Sequence, residues 1–140
     1  MATVSEEIVT TAQPHQVWDA IQDIGALHTR LVVGFVVDTR LEPGGRLVTF
    51  RNGMVVKEPI VAIDAKTRRL VWTAETDQLA HYNASVQVFD HSAGSRVVWI
   101  ADFLPDAARD FVQGMMREGM AAMKPTLDAQ GTGAARQISP

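Results

Sequence analysis

The feature that most constrains the fold is a middle segment, residues 31–103, in which β-branched runs alternate with turn signals and helical periodicity disappears. The strongest turn signal is Asn52-Gly53, because both residues tolerate the positive φ angles of a two-residue type I′ hairpin. The pattern predicts consecutive antiparallel strands. The predicted strands are Val32–Leu41, Arg46–Arg51, Met54–Asp64, Arg69–Thr76, Ala80–Phe89 and Arg96–Phe103.

Helical patterns flank this sheet segment on both sides. Thr3–Thr10 reads as a first strand, and Pro14 then opens a short amphipathic helix, since its missing N–H costs nothing in a first turn. After Pro105, helical periodicity returns over Asp106–Leu127. The order of elements is therefore a strand, a short helix, a six-strand meander and a long C-terminal helix.

The long helix contains residues that disfavour a helix interior. Gly114 and Gly119 each cost about 1 kcal/mol relative to Ala, which predicts that the backbone approaches another element closely there. Pro125 is expected to kink the helix or end its regular part. The segment 129–140 has no apolar pattern and is expected to be a flexible tail after a single domain over 1–128.

Composition excludes several functional classes. The 140 residues fit one domain, the net charge is -3 and there is no cysteine, so thiolate chemistry is excluded and nucleic-acid binding is disfavoured. The N-terminus lacks a signal pattern, and the longest apolar run, seven residues, is far below the roughly 20 that span a bilayer. We expect a cytoplasmic protein without integral membrane association. No metal-ligand spacing or cofactor motif occurs, so neither a metal nor a cofactor is expected.

Several short motifs, in this order and spacing, resemble the START-like superfamily. This group (SRPBCC) contains birch-pollen-allergen-like proteins and bacterial polyketide cyclase/dehydrase-type proteins. The motifs are Pro14-x-x-Val17-Trp18-x-x-Ile21-x-Asp23, Asn52-Gly53-x-Val55-Val56-x-Glu58-Pro59-Ile60, His81-Tyr82-Asn83-Ala84-Ser85 and Trp99-Ile100-x-Asp102-x-Leu104-Pro105. The resemblance implies an α+β helix-grip fold, in which a curved seven-stranded antiparallel sheet surrounds the long helix and leaves a cavity for an apolar or amphipathic molecule.

The central strands offer a carboxylate pair. Counting from the two turns places Leu47 opposite Glu58 and Glu58 near Glu75, on a face shared with Thr73. The resemblance assigns the position of Glu58 to the cavity, whereas hydrophobicity favours the other face as the core. A register slip or bulge exchanges the faces, so both remain open. Glu58 and Glu75 buried together would share a proton and could act as an acid and a base.

Two further polar residues are candidates near the last strands. Tyr82 lies in the phase of the more apolar side of its strand, which predicts a hydroxyl inside the cavity. Asp102 lies beside either Tyr82 or Asn83, and is a catalytic candidate or a structural cap for the following loop.

The remaining candidates are one histidine and the long helix. The resemblance places His28 at the cavity entrance, as a ligand-binding or proton-transfer residue. Phe111 and Met115 belong to the apolar face of the long helix, which either fills the core or forms a soft cavity wall. The run Val97–Ile100 is apolar on both strand faces, which favours a covered outer face and a homodimer.

Three functions are compatible with these observations. The first is binding or transport of a small hydrophobic molecule such as a lipid or polyketide, oriented by Glu58, Tyr82 and Asp102. The second is an enzyme of the cyclase/aromatase or dehydratase kind, in which the same carboxylates move protons. The third is a co-chaperone or interaction role. The fold alone does not decide between a binding protein and an enzyme.

Overall fold

The computed structural model describes the backbone of residues 1–138 and the side chains of residues 1–131. One antiparallel sheet of seven strands, in the order β1-β7-β6-β5-β4-β3-β2, packs against the long helix as predicted. The strands are β1 (Ala2–Thr10), β2 (Val36–Glu42), β3 (Gly45–Phe50), β4 (Val55–Asp64), β5 (Arg69–Thr73), β6 (His81–His91) and β7 (Gly94–Leu104). The helices are α1 (Pro14–Gln22), α2 (Leu27–Arg30) and α3 (Arg109–Ile138), with a 3-10 turn at Asp106–Ala108.

The loop between β3 and β4 is one residue longer than predicted. Arg51, Asn52 and Gly53 form a three-residue loop, because the Gly53 N–H donates to the Phe50 carbonyl at 2.9 Å and the Phe50 N–H donates to Met54 at 2.8 Å. Gly53 has a φ angle of 90°, the left-handed position that such a loop needs after its type I turn. The prediction of a two-residue turn is therefore wrong. Glu58 pairs with Arg46 instead of Leu47.

A β-bulge in β4 shifts the pairing of this strand with β5 away from the predicted register. Next to the turn, Asp64 pairs with Arg69, as the turn predicts. The register shifts between Ile60 and Ala62, leaving Val61 as the extra residue. Beyond the bulge Glu75 lies opposite Lys57 instead of Glu58. The bulge exchanges the strand faces at this point, as one inserted residue must.

The hairpin of β6 and β7 packs densely against α3. Alternate side chains of both strands enter the core, including Phe103 of β7 opposite Tyr82 of β6. A Cβ atom on Gly119 would lie 2.7 Å from the ring of Trp99, so the predicted close approach is confirmed at this glycine. A Cβ atom on Gly114 would contact no other part of the described structure within 4 Å, so the prediction is wrong there.

Helix α3 extends further than the sequence pattern predicted. It continues through Pro125, so the alternative in which this proline ends the helix is wrong. At residues 129–131 it is still helical, and the Gln130 side chain donates a hydrogen bond to the Arg30 carbonyl. The rest of the predicted tail lies where no side chains are described, and the boundary at residue 128 stays a prediction.

The apolar run of β7 divides between the two faces of the sheet. Val97 and Trp99 are buried under α3, whereas Val98 is half-buried and Ile100 is 39% exposed on the other face. This outer face is therefore partly apolar. The predicted homodimer is not tested by it and stays a prediction. Among the described residues, no helix has the length and apolarity to cross a bilayer.

Candidate functional site

A small cavity lies between the sheet and the helices. Its volume is about 70 Å³, and most of its wall is apolar. Helices α1 and α2 contribute Ile21 and Leu27, and α3 contributes Phe111, Met115 and Met123. The polar residues of the wall come from the sheet and the loop before β6. They are Arg46, Glu58, Thr76, Gln78 and Tyr82.

Arg46 and Glu58 form a buried ion pair in the cavity wall. Their side chains are 3% and 9% exposed, and Arg46 Nε donates to Glu58 Oε1 at 2.9 Å. The Arg46 guanidinium also lies 5.6 Å from the centroid of the Trp72 ring. Its Nη1 donates a long hydrogen bond of 3.4 Å to the Ile24 carbonyl. The pair is held from three sides, since β3, β4 and the loop after α1 all contribute to it.

Burial and pairing act in opposite directions on Glu58. Removal from water raises the pKa of the Glu58 carboxyl, and the Arg46 guanidinium opposes this by favouring the charged form. The effect of burial is the larger one. A carboxyl of this kind exchanges protons at a higher pH than a surface glutamate.

Tyr82 of β6 lines the same cavity as Glu58 of β4, with β5 between the two strands. Burial raises the pKa of the Tyr82 hydroxyl, the Glu58 charge raises it further, and the Trp99 indole N–H lowers it in part. The hydroxyl is therefore neutral at physiological pH. The fully buried Nε1 of Trp99 has no hydrogen-bond partner among the described residues. The polar group on which this N–H acts is the Tyr82 hydroxyl, whose pKa it lowers, so it is not a donor left over for a ligand.

A second, wider hollow of about 320 Å³ adjoins the cavity. The two share five wall residues: Phe35, Phe50, Met54, Phe111 and Met115. Phe35 and Phe50 form an edge-to-face pair with ring centroids 5.3 Å apart. The wall of the wider hollow also contains charged residues from the β3–β4 loop and α3 that the smaller cavity does not share, namely Arg51, Asp110 and Glu118. We call the wider hollow the mouth and the smaller one the inner cavity.

The structure brings four of the predicted site residues together. Glu58 and Tyr82 line the inner cavity, and Phe111 and Met115 line both the inner cavity and the mouth. Tyr82 is in phase with the buried residues of β6, as its strand pattern predicted. The functions of these residues stay predictions.

Four other predicted site residues lie outside the cavity wall. Thr73 and Glu75 fall on the other face because of the bulge in β4, and Glu75 is exposed, so the proton-sharing pair with Glu58 is wrong. Asp102 lies beside Asn83, where its Oδ1 accepts a hydrogen bond of 2.6 Å from Thr3. His28 is hydrogen-bonded to Thr39 at 3.0 Å through Nδ1, between α2 and β2. Asp102 and His28 thus join elements of the fold.

The residue that sequence reasoning missed is Arg46. It begins a predicted strand after Pro43-Gly44-Gly45, and a charged residue at a strand start is usually solvated. The pairing with Glu58 becomes visible only with the three-residue loop. Trp72 and Trp99 were likewise not predicted as cavity residues, although two tryptophans in the predicted strands are a large apolar surface.

The comparisons with known proteins agree with this architecture. A family model described as "Polyketide cyclase / dehydrase and lipid transport" matches residues 1–128. The fold is similar to that of XoxI from Bacillus cereus, with 20% identity, a TM-score of 0.81, and 91% of this chain and 96% of that chain covered. No curated protein matches the sequence.

Two further solved structures share the fold. A Thermobifida fusca protein has 24% identity and a TM-score of 0.72, with 94% of this chain and 93% of that chain covered. Ara h 8.0201 has 17% identity and a TM-score of 0.67, with 94% and 98% covered. These likenesses confirm the helix-grip fold that the sequence motifs implied.

Proposed function

Because the chain belongs to the polyketide cyclase/dehydrase and lipid transport family, we propose that it binds and carries an amphipathic small molecule in the inner cavity and the mouth. The observation that carries this proposal is the buried Arg46–Glu58 pair in a wall that is otherwise mostly apolar. Burying two charges costs several kcal/mol per ion in solvation. A polar ligand group that binds this pair gives a functional reason for keeping it there.

The division of the space favours a ligand with two unlike ends. An inner cavity of about 70 Å³ has room for a compact polar group, whereas drug-sized ligands occupy roughly 300–1,000 Å³. The mouth, at about 320 Å³ and with Phe35, Phe50 and Phe111 in its wall, has room for a larger apolar body. The ligand would therefore enter with its polar end first.

A cavity-filling variant tests this proposal. Ala74 lines the inner cavity, so Ala74→Leu reduces its volume, while Ala62→Leu adds the same side chain at an exposed position of β4. In a thermal-shift screen of alkyl and aryl compounds with one polar end, binding raises Tm as the ratio of ligand concentration to Kd rises. We expect the shift in the wild type and in Ala62→Leu and its loss in Ala74→Leu. Equal shifts in all three proteins would contradict a ligand in this cavity.

Acid–base catalysis is a second candidate function, favoured by the raised pKa of Glu58 and its position beside Tyr82. A carboxyl with this property is suited to moving a proton on a bound carbonyl compound. The variant Glu58→Gln distinguishes the two functions. In an enzyme it abolishes turnover of a bound ligand, whereas in a carrier it changes only the affinity.

A further inference from the structure

The hydrogen bonds of the buried pair leave part of each partner unused. Glu58 occupies the Nε side of the Arg46 guanidinium, and the Ile24 carbonyl accepts from Nη1 at 3.4 Å. Arg46 Nη2 and Glu58 Oε2 have no hydrogen-bond partner among the described residues. The pair therefore leaves one guanidinium nitrogen and one carboxylate oxygen free in the wall of the inner cavity.

From this arrangement we propose that the ligand is an amphipathic carboxylic acid. Its carboxylate binds the free end of Arg46 beside Glu58, and one proton from solvent is taken up and held between the two carboxyl groups. This inference rests on the proposed function, since it names the chemical class of the molecule that the cavity carries.

The shape of the free groups favours a carboxyl over other polar ends. The guanidinium of arginine presents parallel N–H donors that match the two oxygens of a carboxylate. An amine at the same place would put a second positive charge beside Arg46. An alcohol or a primary amide would bind at the same place without the uptake of a proton from solvent. Ligands with these groups are therefore the controls.

The proton follows from the charge balance in the cavity. Glu58 and the ligand bring two carboxylates to one guanidinium, in a wall that is mostly apolar and in which both protein groups are buried. Like charges so close together cannot both stay ionised at low cost, so one of the two carboxyl groups takes up a proton. The protonated carboxyl then donates a hydrogen bond to the other carboxylate.

No other charge is in a position to replace this proton. The titratable and charged groups that face Glu58 are Arg46 from β3 and Tyr82 from β6, and burial keeps Tyr82 neutral. From α1, α2 and α3 only apolar side chains reach the described wall of the inner cavity. The charged residues of the mouth, Arg51, Asp110 and Glu118, are not part of the wall of the inner cavity.

Calorimetric titration with three matched probes tests the proposal: decanoate, decanamide and 1-decanol. Each is titrated at a pH at which Glu58 is ionised, in two buffers with different enthalpies of ionisation, so that the protons taken up per ligand are measured. We expect decanoate to bind most tightly and to take up about one proton, with none for the other two probes. The affinity for decanoate should also fall about tenfold per pH unit above that pH.

The variant Glu58→Gln removes the second carboxyl and keeps its size. It should bind decanoate without proton uptake and with an affinity that no longer depends on pH. Unchanged proton uptake in Glu58→Gln, or none in the wild type, would overturn the proposal. If Glu58→Gln does not fold, the pH dependence of the wild-type affinity gives the same decision.

The outcomes separate this inference from the proposed function. Binding of decanamide and 1-decanol, with decanoate weaker or bound without a proton, overturns the acid inference and leaves the carrier function standing. Absence of binding for all three probes, together with no response in the wider thermal-shift screen, overturns both.

Discussion

The two hairpins that contribute most of the inner surface of the sheet use the same geometry for different purposes. In β6–β7 the inward side chains are mostly apolar, and Phe103 and Val97 are completely buried. In β3–β4 the inward positions include Arg46 and Glu58, which line a hollow. The β6–β7 hairpin is the packed half of the sheet, although Tyr82, Val86 and Trp99 also reach the inner cavity. The β3–β4 hairpin contributes the charged pair of the cavity wall.

The difference indicates how this fold combines stability with a site. The packed half supplies favourable burial of apolar area at about 25 cal/mol per Å². The other half bears the cost of two buried charges and of an incompletely filled interior. Substitutions in the packed half should therefore change stability, and substitutions around the hollow should change binding.

The largest expected effect compares two phenylalanines, one in the packed half of the sheet and one on α3 at the mouth. Phe103→Ala removes a completely buried ring and should lower the free energy of unfolding by about 3–5 kcal/mol. Phe111 is 44% exposed at the mouth, so Phe111→Ala should cost about 1 kcal/mol or less and weaken ligand binding instead. Urea unfolding measures the loss of stability in each variant, and ligand titration measures the loss of affinity. Equal losses of stability in the two variants would contradict the prediction.

The buried pair is tested by a double-mutant cycle. Arg46→Met leaves Glu58 without its partner and should cost about 3–5 kcal/mol. The double variant Arg46→Met/Glu58→Met removes both charges and should recover most of this loss, because no unpaired charge remains. Urea unfolding of the two single variants and the double variant gives the coupling energy. A double variant as unstable as Arg46→Met would show that the pair stabilises the fold.

The two glycines of α3 form a matched pair for the packed half. Both substitutions by alanine gain helix propensity, but only Gly119→Ala places a methyl group against Trp99. We expect Gly119→Ala to be less stable than Gly114→Ala by about 1–3 kcal/mol in thermal or urea unfolding. Indistinguishable stabilities would mean that the Trp99 ring shifts without cost.

The smallest expected effect is a dependence of stability on pH. The pKa of Glu58 is raised in the folded state, so its stabilising contribution is complete below the ordinary value of 4.5 and is lost as the pH rises through the raised value. The free energy of unfolding of the wild type, relative to Glu58→Gln, should fall by at most about 1.4 kcal/mol per pH unit in this range. Glu75→Gln makes the same substitution at an exposed position and is the matched control.

The sequence predicted the order of elements well, because long alternating runs and strong periodicity are local properties. The strands agreed with the structure to within a few residues, and the phase of β6 placed Tyr82 on its buried side. Helix α3 was predicted too short, because Pro125 and the small residues after Leu127 read as an end.

The composition of the site was harder to predict, because it depends on two single-residue irregularities. The third residue of the loop before Met54 pairs Arg46 with Glu58, and the extra residue Val61 places Glu75 opposite Lys57. Each changes the face on which every subsequent side chain of a strand lies. Residue propensities carry little information about either irregularity. Arg46 was therefore not predicted as a site residue, and Thr73 and Glu75 were predicted on the wrong face of the sheet.

The loop of Arg51, Asn52 and Gly53 therefore has an influence beyond its size. In a gene that lost one codon here, the shorter turn would favour the register in which Glu58 lies opposite Leu47, and the arginine would point to the opposite side of the sheet. Descendants of one ancestor would then present chemically different side chains to the same cavity, without a single amino-acid substitution.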